Sequence, residues 1–364
     1  MHKGHYLSIC IIVINIMFSS CEESGTENQI TNLDTTVINS LMDIYDIEDE
    51  PGAALLIIND GNILLARGYG LANLEDGIPI TPATNFRLAS VTKQFTAMCI
   101  MILVNWGQLE YEQTLTEIFP SFPDYGSDIT VLNLLQHTSG LRDYFSLIPE
   151  NTTEQIYDAD VLALMMEQNS TYFPPGTEYR YSNSGYAVLA MIVEQISGAG
   201  FAEFIKLNIF SPLGMSYSVA YENGISEVEN RAYGYSLVGT DYSRDDQSIT
   251  SAVLGDGGVY SSLDDMFRWD QSLYTSQLVP YTILSEAFVT GTLLNGNETG
   301  YGFGWVLDNY NYRKRVYHTG STRGFRNVFM RFPDERLSIL ILTNRNSGNP
   351  KEIADQIATM FFGS

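Results

Sequence analysis

The chain has 364 residues, of which 45% are hydrophobic and 17% are charged. This is enough apolar material for one large domain or two closely packed lobes, and the modest charge argues against disorder over most of the chain. The formal net charge of −24 argues against nucleic acid as a partner and against electrostatic docking on an anionic membrane, because both need clustered Lys and Arg.

The first twenty residues have the pattern of an export signal. A short, weakly basic start precedes the apolar run LSICIIVINIMF at 7–18, which is too short for a final membrane span but suits the core of a signal peptide. Ser-Ser-Cys follows and is similar to a bacterial lipoprotein cleavage site. We predict a lipoprotein signal peptide over 1–20, lipidation of Cys21 and a polar tether over 21–32. The alternative is an ordinary secretory peptide cleaved nearby.

This N-terminal pattern also predicts location. The protein would be exported and held on the bacterial cell envelope, in contact with the membrane only through its lipid anchor. Cys10 would leave with the signal peptide, so Cys99 would be the single cysteine of the mature chain that carries no lipid. Cys99 falls in an apolar segment, and we predict that it packs as a small hydrophobic residue.

Residues 33–364 are predicted to form one domain that starts with a helix and a hairpin. Leu33, Val37, Leu41 and Ile44 recur at helical spacing. Two apolar runs then flank Asn-Asp-Gly-Asn at 59–62, which is a hairpin signal.

The other end of the chain predicts four strands and a final helix. The strands are GWVLDNY, KRVYHTG, GFRNVFMRF and RLSILILTN, and the helix is PKEIADQIATMFF. Helical pieces and loops fill the middle, at about 92–290. Strands at both ends predict one mixed sheet built from the two ends of the chain, with the helical middle as a second lobe.

Ser90 and Lys93 form the first candidate catalytic pair. The segment ASVTKQFTAMCIMILVNWGQL predicts a helix that ends near Gly107, with Ser90 opening it and Lys93 on the same face. A serine hydroxyl is a poor nucleophile unless a base takes its proton. A buried, neutral lysine one turn away can do so, because burial lowers the pKa of lysine. The pair is weak evidence by itself, and its place at the start of an apolar helix strengthens it.

Two further motifs carry groups that suit the same chemistry. Tyr181-Ser182-Asn183 precedes a predicted helix, and a phenol beside an ammonium group can share its proton. The same spacing recurs at Tyr221-Glu222-Asn223, so spacing alone does not select Tyr181. His318-Thr319-Gly320 ends an apolar strand, where a glycine lets a substrate backbone approach. The alternative for His318 is a purely structural role.

In this order, the three motifs resemble those of serine β-lactamases and penicillin-binding DD-peptidases. The pattern is nearest to the branch of class C β-lactamases, DD-carboxypeptidases, D-aminopeptidases and related esterases. Four segments extend the resemblance over about 35–362: FRLASVTKQFTA, ITVLNLLQHTSGL, GDGGVYSSLDDMFRW and YGFGWVL. The resemblance implies an α/β (α+β) fold, in which an antiparallel sheet flanked by helices meets a helical lobe and the site lies in the cleft between them.

The resemblance also implies roles for individual residues. Ser90 would be the acylated nucleophile, and Lys93 and Tyr181 would be the proton-transfer pair, with either one as the base. The backbone N–H groups of Ser90 and Ser321 would form the oxyanion hole. The residues implied to bind substrate are Asn183, His318, Thr319, Gly320 and Ser321. Tyr181 is preferred over Tyr221 because its surroundings, PPGTEYRYSNSGY, match the family.

The implied activity is that of a serine hydrolase working through an acyl-enzyme on an amide or ester bond. A D-amino-acid peptide, a β-lactam or a short ester would suit this machinery, so the partner is a small-molecule or peptide substrate, and no cofactor is needed. The alternative is a catalytically silent lipoprotein that binds peptidoglycan-like peptides in the same cleft. The presence of both Ser90 and Lys93 favours the enzyme.

The remaining predictions concern Arg323, His318, His137, Asp256 and whether the chain has a metal site. Arg323 could bind a substrate carboxylate or lie in a surface turn. His318, with an ordinary pKa near ~6.5, is predicted to be partly charged at neutral pH and to attract anionic substrates more strongly as pH falls. His137 is predicted to brace a helix end, and Asp256 either reaches the cleft or serves a turn. Two histidines in the mature chain and no clustered cysteines predict no metal site.

Overall fold

The computed structural model describes Met1 and residues 34–362; the rest of the predicted signal peptide, Cys21 and the tether lie outside this part. Its strands are β1 (Ala53–Asn59), β2 (Asn62–Tyr69), β3 (Leu71–Asn73), β4 (Ile78–Pro79), β5 (Phe86–Arg87), β6 (Val219–Ala220), β7 (Tyr235–Val238), β8 (Asp241–Arg244), β9 (Val259–Ser261), β10 (Val306–Tyr310), β11 (Arg313–Thr322), β12 (Phe325–Phe332) and β13 (Leu337–Thr343).

The α-helices are α1 (Thr35–Met42), α2 (Lys93–Asn105), α3 (Leu115–Ile118), α4 (Val131–Leu135), α5 (Asp158–Met166), α6 (Asn183–Ser197), α7 (Phe201–Ile205), α8 (Ser211–Leu213), α9 (Leu254–Gly257), α10 (Leu263–Ser272), α11 (Tyr281–Leu284) and α12 (Pro350–Phe362). Short 3₁₀ helices lie at Asp43–Tyr45, Ala89–Thr92, Asp124–Asp128, Tyr144–Ser146 and Ser285–Phe288, and a π-helical turn lies at Lys206–Phe210.

The two ends of the described chain meet in one six-stranded sheet of order β10-β11-β12-β13-β1-β2. The predicted hairpin, the four C-terminal strands and the final helix are confirmed. Every neighbouring pair in this sheet is antiparallel, so the antiparallel sheet that the resemblance implied is confirmed and the mixed sheet predicted from the strand pattern alone is wrong. Short turns join most neighbours, and such turns can only produce antiparallel pairs. Asp60 and Gly61 take φ angles of 47° and 75°, which suit a two-residue hairpin turn.

Helix α1 buries a different stripe from the predicted one. Ile38, Met42 and Tyr45 are buried, whereas Val37 and Ile44 are 44% and 45% exposed. Both stripes have helical spacing, so the sequence pattern alone cannot choose between them. In the observed orientation of α1, the Arg345 guanidinium lies 5.1 Å from the centroid of the Tyr45 ring.

Helix α2 is the central helix of the core. All of its residues from Lys93 to Leu103 are buried, and the Phe95 ring packs 5.6 Å from Phe210 and 4.4 Å from Trp269, measured between centroids. Cys99 is buried in this helix, as predicted, and burial raises the pKa of its thiol. Because α2 is surrounded by protein, its first residue, Lys93, has no access to bulk water.

Helix α6 starts beside the N-terminal end of α2. Ser182 caps α6 by accepting a hydrogen bond from the backbone N–H of Gly185 at 3.0 Å, and Gly198 ends the helix with a φ of 72°. Asn183 is therefore the first helical residue, and its side-chain oxygen lies 2.9 Å from the Lys93 ammonium nitrogen. The two helix starts thus bring the first and second sequence motifs together.

A smaller sheet of order β5-β9-β6 fixes the third side of this junction. Strand β5 leads directly into the turn at Ala89–Thr92, and Leu88 donates its backbone N–H to the Val259 carbonyl at 2.8 Å. Helix α9 precedes β9, so its residues lie against the same turn. No single helix within 34–362 is long and apolar enough to cross a membrane, although α6 together with the bent segment Phe201–Leu213 passes that test as a pair.

Candidate active site

The turn at Ala89–Thr92 presents Ser90 under close constraint. Ala89 has a φ of 50°, in the left-handed region that a residue with a side chain seldom adopts. Gly320 of β11 lies directly against this turn, because a Cβ built on it would sit 2.2 Å from the Leu88 carbonyl oxygen. The turn is therefore clamped between β11 and the β5-β9-β6 sheet, which fixes the direction in which Ser90 leaves the backbone.

Lys93 lies one turn after Ser90 and is fully buried. Its Nζ is 3.1 Å from Ser90 Oγ, 2.9 Å from Asn183 Oδ1 and 2.8 Å from the Asp256 backbone oxygen. Burial lowers the pKa of Lys93 to about 8, and the nearby Asp256 carboxylate opposes that shift. A substantial fraction of Lys93 is therefore neutral near physiological pH.

The partners of Lys93 also orient its lone pair. An amide oxygen and a backbone carbonyl can only accept hydrogen bonds, so the two hydrogens of a neutral amine point to Asn183 and Asp256. The remaining lone pair then faces the Ser90 hydroxyl. This arrangement is what a general base for Ser90 requires.

Tyr181 lies next to the same two groups. Lys93 Nζ is 5.0 Å from the centroid of its ring, and the residue is 39% exposed. Burial of the hydroxyl end raises the pKa of Tyr181 above its usual value, while hydrogen bonding with Ser90 opposes the rise. The phenol is thus protonated at neutral pH and placed to donate rather than to remove a proton.

His137 braces the start of α6, as predicted. Its Nδ1 accepts the backbone N–H of Ser182 at 3.1 Å, and its ring packs against Tyr181 with centroids 4.3 Å apart. Burial, followed by the nearby Lys93 charge, lowers the pKa of His137 well below its usual value. The neutral ring holds Tyr181 and the helix start in place.

His318 differs from the predicted titrating group. It is buried, its Nδ1 lies 2.7 Å from the Thr319 carbonyl oxygen, and its Nε2 lies 3.0 Å from the Tyr301 hydroxyl. A carbonyl only accepts, so Nδ1 carries the hydrogen and Nε2 accepts from Tyr301. Burial lowers the pKa of His318 to about 3, with Lys93 adding to the effect. The prediction of a partly charged His318 at neutral pH is therefore wrong.

The other predicted strand residues lie on an open edge of β11. Strand β10 pairs with β11 only up to Tyr317, so within the described residues no strand continues beside 318–322 on that side. The side chains of Thr319 and Ser321 are exposed, while Gly320 faces inward. Within the protein, the close approach that Gly320 permits is to the backbone of Leu88, and its approach to a substrate backbone stays a prediction.

A cavity of about 60 Å³ opens at Ser90. Its lining residues are Arg87, Ala89, Ser90, Tyr144, Phe145, Asn183, Thr250, Asp256, Gly257, Ser321 and Thr322. Both residues of the predicted oxyanion hole, Ser90 and Ser321, are among them. A larger cavity of about 470 Å³ lies beside α7 and β6 and contains none of the predicted site residues.

Arg323 does not line the Ser90 cavity. It has a φ of 39°, and its guanidinium forms an ion pair with Asp245 at the surface. This position corresponds to the surface turn that was the alternative to carboxylate binding. Its charge is already compensated by Asp245.

Sequence reasoning missed the groups that support Asp256. Tyr144 donates its hydroxyl to Asp256 Oδ2 at 2.9 Å, and the Asp158 carboxylate accepts the backbone N–H groups of Leu254 and Gly255 at 2.7 and 3.0 Å. Burial raises the pKa of Asp158 to about 8. Tyr144 and Asp158 belong to no motif, and their partners are about a hundred residues away, so no local signal could have found them. Among the described residues, no cluster of three or more His, Cys, Asp or Glu could hold a metal ion.

Comparisons with known proteins identify the family of the chain. The family model described as Beta-lactamase matches residues 38–361. Penicillin-binding protein 4* of Bacillus subtilis (strain 168) is 32% identical over 332 residues, which cover 87% of this chain and 73% of that protein. D-aminopeptidase of Gluconobacter oxydans (strain 621H) is 30% identical over 305 residues, which cover 82% of this chain and 56% of that protein.

Solved structures show the same fold. The octameric penicillin-binding protein homologue from Pyrococcus abyssi matches with a TM-score of 0.81 and 25% identity, covering 91% of this chain and 78% of that one. The D-amino acid amidase from Ochrobactrum anthropi SV3, complexed with L-phenylalanine amide, matches with a TM-score of 0.75 and 21% identity over 90% of this chain and 98% of that one. At that identity the second likeness supports the fold alone.

Proposed function

The chain belongs to the beta-lactamase family, and from that premise we propose that it is a serine hydrolase that cleaves an amide bond through an acyl-enzyme on Ser90. The family and the relatives support a hydrolase of amide bonds. The observation that carries the proposal is the buried Lys93, whose Nζ lies 3.1 Å from Ser90 Oγ and whose pKa is lowered to about 8.

In the proposed acylation step, neutral Lys93 takes the Ser90 proton as Oγ attacks the substrate carbonyl. The backbone N–H groups of Ser90 and Ser321 donate hydrogen bonds to the carbonyl oxygen and stabilise the negative charge that develops on it. The proton then passes from Lys93 through Tyr181 to the leaving nitrogen, the C–N bond breaks and the amine departs. A water molecule then attacks the acyl-enzyme by the reverse sequence, which regenerates Ser90 and releases the acid.

Lys93 is the proposed base, and Tyr181 is the proposed proton relay. The pKa of Lys93 is lowered by burial, so neutral amine is available near pH 7, whereas burial raises the pKa of Tyr181 and makes its phenolate scarce. The two groups exchange protons as a coupled pair, so kinetic pKa values will belong to the pair.

The test of the proposal is covalent labelling. Intact-mass spectrometry after incubation with a fluorophosphonate should show one adduct on the wild type and none on Ser90→Ala. Lys93→Ala should fold but react at least ~10²-fold more slowly, the usual scale for a lost general base. An adduct that persists in Ser90→Ala would overturn the assignment. An unlabelled wild type that still binds a peptidoglycan-like peptide would support the silent binding protein instead.

For the substrate, we propose an amide with a D-amino acid in its acyl part. The support is the relative named D-aminopeptidase, which is 30% identical to this chain. A panel of nitrocefin, D-alanyl-D-alanine, a D-amino-acid amide and a nitrophenyl ester tests this choice against β-lactams and short esters. A higher kcat/KM for nitrocefin or the ester than for both D-amino-acid compounds would contradict it.

For location, we propose that the protein is exported and anchored by lipid on Cys21, a residue outside the described part. The support is the apolar run that ends in Ser-Ser-Cys. In a bacterial host, wild type should appear in the membrane fraction and Cys21→Ser in the soluble exported fraction. The proposal fails if both fractionate as soluble protein.

A further inference from the structure

Asp256 places a carboxylate in the wall of the Ser90 cavity. The residue is 9% exposed, and Ser90, Asn183, Gly257 and Ser321 line the same cavity. Its Oδ2 accepts the Tyr144 hydroxyl at 2.9 Å, whereas among residues 34–362 no side chain or backbone N–H donates to its Oδ1. One carboxylate oxygen is thus left available toward the place where a substrate must bind.

The cations around this carboxylate are engaged elsewhere. Arg87 donates to the Gly257 carbonyl, to Gln247 Oε1 and to the Ser251 carbonyl, at 3.2, 3.1 and 2.9 Å. Arg323 is paired with Asp245. Lys93 must be neutral to act as the base, and its Nζ contacts the Asp256 backbone oxygen. In the described part, each of these cations therefore already has hydrogen-bond or ion-pair partners, whereas Asp256 Oδ1 has none.

Burial raises the pKa of the Asp256 carboxyl, while Lys93, the Tyr144 hydroxyl and Arg87 oppose the rise. A bound cation would favour the ionised form further, because an opposite charge at short range stabilises a carboxylate. A substrate carboxylate in the same place would have the reverse effect. The ionised Asp256 carboxylate therefore favours a cationic substrate group over an anionic one, and the charge of Arg87 in the same cavity opposes that preference.

We propose that Asp256 binds a protonated amino group on the acyl part of the substrate, so that preferred substrates carry a free amine beside the scissile carbonyl. The inference rests on the proposed function. Asp256 lies in the cavity wall with Ser321, whereas Tyr181, the proposed donor to the leaving group, is not among the lining residues. The acyl part therefore occupies the cavity, and the leaving group faces Tyr181.

The size of the cavity limits which acyl groups can bind. About 60 Å³ has room for roughly four to six water-sized groups at 10–15 Å³ each. An aminoacyl group with a small side chain, such as alanyl, fits this room. A large aromatic side chain would have to extend out past the exposed ring of Phe145.

Two matched phosphonates test the proposal. Diphenyl 1-aminoethylphosphonate carries an ammonium group where diphenyl isopropylphosphonate carries a methyl group, and both phosphonylate an active serine. Ser90 Oγ forms a bond to phosphorus, the bond to one phenoxide breaks, and the phenoxide leaves with the proton that Lys93 removed from Ser90. The measured quantity is the labelling rate of the amino reagent divided by that of the isopropyl reagent, in wild type and in Asp256→Asn.

Dividing the wild-type ratio by the variant ratio cancels the intrinsic reactivity of the reagents and any general change in Ser90. We expect this double ratio to be roughly 10 to 100, the scale of a hydrogen-bonded charge pair. Asp241→Asn, which removes the same charge from the exposed strand β8, is the matched control and should leave the wild-type ratio unchanged.

Each outcome has a defined meaning. A double ratio near one overturns the proposal, and an equal slowing of both reagents would assign Asp256 to the tuning of Lys93 instead. If Asp256→Asn does not fold, the wild-type ratio must still exceed the ratio of the two reagents' rates with hydroxide by about tenfold. If neither reagent labels wild-type Ser90, the proposed function itself fails, which is a separate result.

Discussion

Lys93 is the residue whose titration should be visible in the reaction. Because burial lowers its pKa to about 8, it is mostly protonated at pH 6 and mostly neutral at pH 9. The fluorophosphonate labelling rate of Ser90 should therefore rise roughly tenfold per pH unit below pH 8 and level off above it. A midpoint near the ordinary lysine value of ~10.4 would contradict this assignment. The small residual rate of Lys93→Ala should lack the inflection.

His318 should not act as a pH switch. Its pKa is lowered to about 3, so it stays neutral from pH 5 to pH 8. D-alanyl-D-alanine and its C-terminal amide share an acyl part and differ only in the leaving-group charge. Their ratio of kcat/KM should be constant across that range in the wild type. A preference for the acid that grows several-fold toward pH 5 would show that His318 titrates after all. His318→Lys should raise the preference for the acid roughly tenfold.

The sequence could predict Ser90 and Lys93 because their relation is local: one helical turn carries both groups. It could not predict the environment of His318, because Tyr301 approaches it from another segment. The fate of Arg323 depends in the same way on Asp245, far away in sequence. The residue types thus predicted the chemistry of the site. The surroundings of the His318 and Arg323 side chains depend on tertiary contacts that no local pattern encodes.

At the scale of elements, the contact between β11 and the Ser90 turn is the sensitive one. A Cβ at Gly320 would sit 2.2 Å from the Leu88 carbonyl oxygen. Neither side can yield easily, because Asn327 of β12 pairs with Gly320 and donates its side-chain amide to the Arg87 carbonyl at 2.9 Å. Gly320→Ala should cost about 1–3 kcal/mol of the free energy of unfolding and slow Ser90 labelling at least ~10-fold.

Gly200→Ala is the matched control for this substitution. Its nearest neighbour would be Glu194 Oε1 at 3.9 Å, which is open space by comparison. The labelling rate should match that of the wild type, and the free energy of unfolding in urea should match it within about 1 kcal/mol. Wild-type labelling by Gly320→Ala would mean that the turn and strand can separate without affecting Ser90.

Element prediction succeeded where the signal was periodic and failed where two periodic solutions existed. The hairpin around Asp60 and the four C-terminal strands follow from apolar runs and turn residues. In α1, both possible apolar stripes have helical spacing. The stripe that is buried is the one that includes Tyr45, whose ring contacts Arg345. The mixed sheet was a wrong inference about pairing direction, which a strand's own sequence does not specify.

For the whole molecule, the ion pair between Arg331 and Asp270 joins the helical and sheet layers. Arg331 Nε on β12 lies 2.7 Å from Asp270 Oδ1 on α10, and each side chain is 1% exposed. Ser338 of β13 donates to the same carboxylate oxygen at 2.6 Å. The partners are 61 residues apart, so no local sequence pattern connects them.

Because this ion pair is buried, breaking it should lower the free energy of unfolding more than breaking an exposed ion pair. Arg331→Met leaves Asp270 buried without its cation and should cost about 3–5 kcal/mol of the free energy of unfolding. Arg67→Met, which breaks an exposed pair with Asp46, should cost less than about 1 kcal/mol. Urea unfolding of the two variants and the wild type measures both differences.

The double variant Arg331→Met, Asp270→Leu separates the value of the pair from the cost of an orphaned charge. Removing both charges restores an apolar contact between α10 and β12, so the double variant should be more stable than Arg331→Met alone. Its labelling of Ser90 should match the wild type, because neither side chain lines the Ser90 cavity. If instead the double variant is the less stable of the two, Asp270 stabilises the protein even without its cation, and leaving that carboxylate unpaired at this site costs little.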